Sequence, residues 1–301
     1  MSRPRPAPPR RRSWLVGCGL LVALPLVILI GLAGGIFIAA RQSGRLNVLI
    51  LGLDHRPGES GPARTDTLIL ATFEPQQPRV ALLSIPRDLW VDIPGHGTNR
   101  INTANYFGDL DQPGYGPFLA MQAVQQNFGP TIHGYLELDF NGFVALVDAL
   151  GGVDLDVPKT IVDNYYPTPD YGVMSITIPA GPQHMDGATA LIYARTRHAD
   201  SDFGRGQRQQ QVLRALVVKA LQPTTWPRLP VAWTVARRYF LTDLSEIDLA
   251  TIFLSVALVG PEGVQSYAID EDMTIPYVTD SGAQVLLPRW EVILPLVGET
   301  F

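Results

Sequence analysis

Four arginines fall within fourteen residues near the middle of the chain, at Arg195, Arg197, Arg205 and Arg208. Guanidinium groups this close together repel one another unless anionic partners lie between them. Their planar, two-donor geometry suits phosphate or carboxylate oxygens better than a lysine ammonium would. The segment therefore predicts an anion-binding site. The alternative is a run of solvated charge, and the segment alone does not decide between the two.

An amphipathic helix is predicted directly after this cluster. Its apolar positions recur at spacings of one, three and four residues, as on the buried face of a helix. They are Val212, Leu213, Leu216, Val217 and Ala220. Arg205, Arg208 and Gln209 would then lie at or just before the first turn, where unpaired backbone N–H groups and the helix dipole favour an anion.

Two aspartates and another arginine stand at the ends of three predicted strands. The strands are Leu46–Leu53, Thr67–Phe73 and Val80–Ile85. If they run up, down and up as neighbours, Asp54, Asp66 and Arg87 lie on one edge of the sheet. Open α/β sheets bind ligands at such an edge. Two carboxylates there suggest a hard cation such as Mg²⁺, although aspartate also caps turns.

The composition is that of a globular protein. Of the 301 residues, 46% are hydrophobic and 17% are charged, which fits one large domain or two small ones. The single cysteine, Cys18, lies in the first apolar run. The rest of the chain can therefore form neither an intrachain disulfide nor a cysteine metal cage.

The N-terminal forty residues have the pattern of a membrane anchor. Residues 1–13 contain five arginines among four prolines and predict a basic cytoplasmic tail, whereas residues 14–40 carry no charge. This uncharged run exceeds the roughly 20 residues that span a bilayer as a helix. The arginine bias predicts a single-pass protein with its N-terminus inside and the chain from residue 46 outside. A cleaved signal peptide is the alternative.

The chain beyond residue 45 is acidic. It contains 28 acidic and 16 basic residues, a net charge of −12. Such a domain binds nucleic acid poorly, so we expect no nucleic-acid partner. An arginine cluster inside it is more readily explained by a local anionic ligand than by a general affinity for polyanions.

Strands alternate with helices along the rest of the chain. This order predicts one α/β domain over residues 46–301, a three-layer α/β/α sandwich with a central mixed sheet. Residues 158–180, rich in tyrosine and proline, are predicted to be a loop or lid. The aliphatic helices beside the sheet could enclose a long apolar ligand, although ordinary core packing is the more general use of such residues.

Five motifs occur in a fixed order along residues 46–260. They are Gly52-Leu-Asp54 with Arg64-Thr-Asp66; Ser84-Ile-Pro-Arg87-Asp88; Val147-Asp-Ala-Leu-Gly-Gly-Val153-Asp154; Asp186-Gly187 before Tyr193-Ala-Arg195-Thr-Arg197; and Asp202-Phe-Gly-Arg205 before Arg208-Gln209. Together they resemble the LytR-CpsA-Psr family. The resemblance implies an enzyme of the bacterial cytoplasmic membrane whose catalytic domain lies outside. It would transfer an anionic glycopolymer, of teichoic acid or capsule type, from a polyprenyl-pyrophosphate carrier to peptidoglycan through a phosphodiester.

The resemblance also implies roles for individual residues. Asp54 and Asp66 would bind Mg²⁺. The residues implied in catalysis are Arg87, Arg195, Arg197, Asp202 and Arg205. Those implied in substrate binding are Arg64, Arg208 and Gln209. Two other activities stay open: a hydrolase of polyprenyl pyrophosphates, and a non-catalytic sensor of lipid-linked wall intermediates.

Overall fold

A six-stranded sheet forms the centre of the molecule. The structure is a computed structural model that describes residues 34–54, 61–168, 172–196 and 202–301. The strands are β1 Leu46–Leu53, β2 Thr65–Glu74, β3 Arg79–Ile85, β4 Trp90–Ile93, β5 Gly97–Arg100, β6 Gly134–Asp139, β7 Val153–Val157, β8 Ile161–Pro167, β9 Val173–Ile178, β10 Gly181–Met185, β11 Leu241–Thr242, β12 Val264–Ala268, β13 Thr274–Val278 and β14 Gln284–Pro288. The helices that follow residue 45 are α1 Thr103–Asp111, α2 Gly116–Phe128, α3 Phe140–Leu150, α4 Gly187–Arg195, α5 Asp202–Leu221, α6 Leu229–Tyr239, α7 Glu246–Val259 and α8 Trp290–Thr300.

The central sheet is mixed. Its strand order is β11-β6-β1-β2-β3-β12. The neighbours β1, β2 and β3 are antiparallel, whereas β6 lies parallel to β1 and β12 parallel to β3. The predicted up, down and up arrangement of the first three strands is therefore confirmed, as is the mixed α/β fold.

Helices cover both faces of this sheet. One face of β1, with Leu49 and Leu51, packs on α2 and α8 through residues such as Val124 and Ile293. The opposite face, which includes Val48, packs on α5 and α7. Successive side chains along a strand point to opposite faces of the sheet. Because helices cover both faces, successive residues of β1 pack against opposite helical layers. The continuous apolar sequence of β1 follows from this double coverage.

A second apolar cluster lies beside the sheet. It joins α3, α4 and one side of α5 to the small sheets β7–β10 and β8–β9. Val212 and Leu216 of α5 contribute to it, whereas Leu213 of the same helix contacts the cluster on the central sheet. The apolar stripe predicted for α5 is therefore present and serves two cores.

Several elements differ from the sequence-based expectation. Residues 158–180 are not a loop over most of their described length, because β8 and β9 form an antiparallel hairpin. The alternation of buried Ile161 and Asp163 with exposed Val162 is a strand pattern that the prolines and tyrosines obscured. Helix α1 and the hairpins β4–β5 and β13–β14 were not predicted, since they are short and weakly periodic.

The predicted membrane anchor lies mostly outside the described residues. Residues 34–42 are helical, and residues 14–33 are not described. Among the residues that the structure covers, no helix has the length and apolar character needed to cross a bilayer.

Glu137 on β6 is a buried acid away from the predicted site. Its side chain is only 6% exposed, and its Oε2 atom has no hydrogen-bond partner among the described residues. Burial, with a smaller effect of the Asp109 carboxylate, raises the pKa of Glu137 from 4.5 to about 7. The folded protein therefore binds this proton more tightly than the unfolded chain does between these two values.

This pKa shift predicts a pH-dependent effect of Glu137→Gln. As pH rises from 4.5 to 7, the free energy of unfolding of the wild type falls. Above pH 7 this loss has reached its full value, on the order of 3 kcal/mol. The amide carries no charge, so the variant should be more stable than wild type at pH 8 and equally stable at pH 4. Urea unfolding at both pH values measures this. An equal stability difference at pH 4 and pH 8 would contradict it.

Candidate active site

The ends of β1, β2 and β3 bring three predicted residues to one edge of the sheet. Asp54 follows β1, Asp66 lies near the start of β2, and Arg87 follows β3. Gly52 pairs with Thr67 but Leu53 pairs with Thr65, so Asp66 is the extra residue of a β-bulge. A bulge turns a side chain out of the regular alternation of the strand. Arg87 Nη1 lies 2.6 Å from Asp66 Oδ1.

Arg195 joins the same edge from the end of α4. This helix begins after Asp186, whose carboxylate accepts a hydrogen bond from the Thr189 N–H at 2.8 Å, an N-cap that fixes where the helix starts. A cation is also favoured at a helix C-terminus, where Arg195 lies. Its Nη2 lies 3.2 Å from Asp54 Oδ1, and its guanidinium lies 3.8 Å from the centre of the Phe140 ring.

Arg87 is oriented by a further pair of charges. Its Nε donates to Asp88 Oδ2 at 3.4 Å, and Asp88 Oδ1 lies 3.2 Å from Arg100 Nε. Arg100 in turn donates through Nη2 to the Gln284 carbonyl at 2.7 Å. The Arg87 guanidinium is therefore held at Nη1 by Asp66 and at Nε by Asp88.

Helix α5 supplies the third group of predicted residues. It begins at Asp202, earlier than its apolar stripe suggests. Arg205 consequently lies in the first turn, whereas Arg208 and Gln209 lie one turn further along than predicted. Arg205 is buried, with 6% of its surface exposed.

A cavity of about 230 Å³ opens between these elements. Asp66, Arg195, Arg205 and Gln209 all line it. A smaller cavity of about 40 Å³ on the side of Arg87 shares Asp66, Arg205 and Gln209 with it. Asp66, Arg205 and Gln209 thus lie between the two cavities, and Asp54 is joined to the first of them by its ion pair with Arg195.

Four predicted residues stand differently. Arg208 is buried and donates through Nε to the Tyr193 carbonyl at 2.9 Å and through Nη2 to the Thr196 carbonyl. These contacts occupy the guanidinium with the C-terminal end of α4, and its predicted contact with substrate stays a prediction. Arg64 is exposed at the edge of the site. Arg197 lies outside the described residues, and Asp202 begins α5 but its side chain is not described.

An apolar slot runs from this edge along the sheet. Its first part, of about 160 Å³, has Arg195 and Gln209 at one end and apolar side chains such as Leu138 and Phe143 along its walls. The second part, of about 210 Å³, lies between the sheet, α5 and α7, and its wall exposes no polar surface. Ile50, Leu136 and Leu213 line both parts, so the two are adjacent. We call this pair of cavities the apolar slot.

Sequence reasoning missed four residues around Arg195. Phe140 and Tyr166 lie against its guanidinium, at 3.8 and 5.8 Å from the ring centres. Burial raises the pKa of the Tyr166 hydroxyl, and the positive charge of Arg195 opposes that shift. Asp163 and Thr196 form a buried hydrogen bond beside the cavity. The signal for Thr196 was its place between two arginines, but nothing in the sequence joined it to Asp163.

Comparison with known families shows which family the chain belongs to. The profile of the LytR_cpsA_psr family matches residues 36–286. The chain belongs to this family. The match includes the sheet edge, α5 and the apolar slot, so the features that form the site lie within the family domain.

Relatives of this chain are named either as transferases or as regulatory proteins. The polyisoprenyl-teichoic acid–peptidoglycan teichoic acid transferase TagU of Oceanobacillus iheyensis is 31% identical over 280 residues, which cover 82% of each chain. The regulatory protein MsrR of Staphylococcus aureus is 29% identical over 232 residues, 76% of this chain and 65% of MsrR. This chain therefore spans slightly less than two thirds of MsrR.

Solved structures of the LytR_cpsA_psr family share the fold. The structure of TagT bound to LIIa-WTA is 26% identical and superposes with a TM-score of 0.68, covering 87% of this chain and 91% of that one. The mixed sheet and its covering helices are therefore a family property.

Proposed function

We propose that this chain transfers an anionic glycopolymer, such as a teichoic acid, from a polyprenyl-pyrophosphate carrier to peptidoglycan through a phosphodiester bond. The observation that carries the proposal is the position of the Asp54–Arg195 and Asp66–Arg87 pairs on the sheet edge where the slot and the 230 Å³ cavity meet: Arg195 lines both, and Asp66 lines the cavity. A lipid diphosphate has a charged head that matches the ion pairs and an apolar tail that matches the slot. The name of TagU, which gives teichoic acid transfer to peptidoglycan, supports the same activity.

The residues present suit the bond changes of this reaction. An acceptor hydroxyl oxygen loses its proton to solvent and forms a bond to the phosphorus that carries the sugar, while the bond from that phosphorus to the bridging oxygen breaks and polyprenyl phosphate leaves with the electron pair. Negative charge is spread over the phosphoryl oxygens throughout, so positioning and electrostatic stabilisation supply most of the catalysis. Arg87, Arg195 and Arg205 supply fixed positive charge and planar two-donor groups that suit phosphate oxygens. They bind and orient the two phosphates.

The apolar slot would receive the isoprenoid tail. Its walls are formed by aliphatic residues of the sheet and by Leu213 and Leu216 of α5. Arg195 and Gln209 line both the slot and the 230 Å³ cavity. A tail in the slot therefore directs its diphosphate toward Arg195, which limits the ways in which the donor can lie.

Mg²⁺ is the metal that fits the two aspartates. No cluster of three or more His, Cys, Asp or Glu side chains occurs within the described part of the chain. Mg²⁺ needs fewer protein ligands, since it is commonly bound by one or two carboxylates together with substrate phosphate oxygens. Asp54 and Asp66 keep 32% and 15% of their side-chain surfaces exposed. When bound, the ion would neutralise charge on the leaving phosphate.

We further propose that the domain lies on the outer face of the bacterial cytoplasmic membrane, anchored by residues 14–40. The uncharged run and the arginines before it support this orientation. A tether raises the effective concentration of the domain near a donor that is itself confined to the bilayer. Peptidoglycan, the acceptor, lies on the same side.

The test is transfer by the full chain in lipid nanodiscs from a defined polyprenyl-pyrophosphate donor, with and without peptidoglycan. We expect polymer to become bound to peptidoglycan and polyprenyl phosphate to be released only when the acceptor is present. Equal release without acceptor would instead identify a hydrolase. Donor binding without turnover under either condition would identify a sensor.

A further inference from the structure

The hairpin β8–β9 is bulged where it faces the site. Its pairing register shifts between Asp163 and Tyr166. In a regular strand, residues three apart point to opposite faces. Here the extra residue leaves both Asp163, 1% exposed, and Tyr166, 4% exposed, buried, whereas Tyr165 is 64% exposed and lines the 230 Å³ cavity. The Tyr165 N–H donates to Asp163 Oδ1 at 2.9 Å, a local turn that stabilises the bulge.

The two buried residues contact consecutive positions of the arginine segment. Thr196 Oγ1 donates to Asp163 Oδ2 at 2.6 Å, and both residues are 1% exposed. Arg195 Nη1 donates to the Tyr166 hydroxyl at 3.5 Å. The bulge thus aims one group at the arginine and the other at the residue that follows it.

Helix α5 contacts the same peptide from the other side. Arg208 Nη2 donates to the Thr196 carbonyl. Thr196 has left the helical conformation, with φ −56° and ψ 140°, so its backbone orientation depends on these contacts. Its side chain is fixed by β8 and its carbonyl by α5. Together the two contacts hold Thr196 at the end of α4.

We propose that Asp163 and Thr196 are positioning residues that orient Arg195 for phosphoryl transfer. Asp163 lines the 230 Å³ cavity, but both of its carboxylate oxygens accept hydrogen bonds from the protein. Thr196 directly follows Arg195, and its hydrogen bond to Asp163 fixes the end of α4 from which the Arg195 side chain extends. The inference rests on the proposed function, because it assigns these residues to the geometry of the diphosphate site.

The test uses Thr196→Val, which keeps the shape of the side chain and removes the hydroxyl. In the full chain in nanodiscs we expect kcat to fall by about 10-fold to 100-fold, since misplacement of a catalytic group by about 1 Å has effects of this size. KM for the donor should change little, because the apolar slot supplies binding that is equal in ground and transition states. Thr196→Ser, which restores the hydroxyl, should recover most of the activity.

Thr251→Val is the matched control. Thr251 is also 1% exposed, and its hydroxyl donates to the Ile247 carbonyl at 2.8 Å in α7. It lines neither the apolar slot nor the 230 Å³ cavity. It should lower the melting temperature as Thr196→Val does without lowering kcat. Wild-type kcat in folded Thr196→Val, or an equal loss in Thr251→Val, would overturn the proposal. If Thr196→Val does not fold, Asp163→Asn is measured in its place, with the same expected and contradicting results.

A second measurement separates this proposal from the proposed function. Modification of Arg195 by phenylglyoxal, followed by mass spectrometry, reports how firmly the guanidinium is held and needs no turnover. We expect faster modification in Thr196→Val than in wild type or Thr251→Val. Equal rates in all three proteins would contradict the positioning. A wild type that transfers no polymer would contradict the proposed function instead.

Discussion

Arg87→Ala is expected to give a folded protein whose transfer rate is lower by about 100-fold to 1,000-fold, or ~2.7 to 4 kcal/mol of transition-state stabilisation. The guanidinium is the group that can bridge Asp66, 2.6 Å away, and a phosphate in the adjoining cavity. Alanine removes both the charge and the fork. Initial rates of polymer transfer by the purified full chain measure the effect.

Two other variants sharpen this expectation. Arg87→Lys retains the charge but not the two-donor geometry, so its rate should lie between those of wild type and Arg87→Ala. Arg289→Ala removes an exposed ion pair of Nε with Glu291 at 3.3 Å at the start of α8, together with a hydrogen bond from Nη1 to the Asp272 carbonyl at 3.0 Å. Such surface pairs contribute little, and transfer should stay at the wild-type level. Full transfer by Arg87→Ala would contradict the assignment of the phosphate-binding arginines to this sheet edge.

Removal of divalent metal is the second change with a large expected effect. Excess chelator should stop transfer, and added Mg²⁺ should restore it, because the charge of two phosphates would otherwise be opposed by arginines alone. Asp54→Asn and Asp66→Asn should each raise the Mg²⁺ concentration needed for half-maximal rate. Asp111→Asn, which removes an exposed carboxylate 2.7 Å from His96, is the control.

The chelator and the variants test different things. Asp54 and Asp66 each pair with an arginine, so their replacement also disturbs Arg195 and Arg87. A loss of activity in the variants that excess Mg²⁺ does not relieve would assign these carboxylates to orienting the arginines. Undiminished turnover in excess chelator would show that the reaction needs no divalent metal.

The sheet edge could be predicted because its information is local. The strands β1 and β3 are mostly apolar, and a charged residue closely follows each: Asp54 comes directly after β1, and Arg87 follows β3 after Pro86. Neighbouring strands that alternate in direction then bring these ends together. The pattern required no knowledge of any contact distant in the sequence.

The support of the arginines could not be predicted in this way. Asp163 and Thr196 lie 33 positions apart, and their hydrogen bond depends on a bulge in a hairpin that reads as an irregular loop. Arg208 has the same residue type as its neighbours in the cluster, yet it is directed to the carbonyls at the end of α4. Residue type predicts which groups can bind an anion, whereas tertiary contacts decide which of them face it.

The length of β1 has a consequence for how far a donor must rise from the bilayer. Its eight residues span about 26 Å at about 3.3 Å each, from the side of the proposed anchor to the edge that carries Asp54. With the anchor as proposed, a carrier whose diphosphate reaches that edge would draw much of its chain out of the membrane. Val48, Ile50 and Gly52 occupy alternate positions on the strand face that lines the apolar slot. Apolar side chains along the same strand would therefore cover the lipid chain over this distance, so that its extraction exposes little hydrocarbon to water.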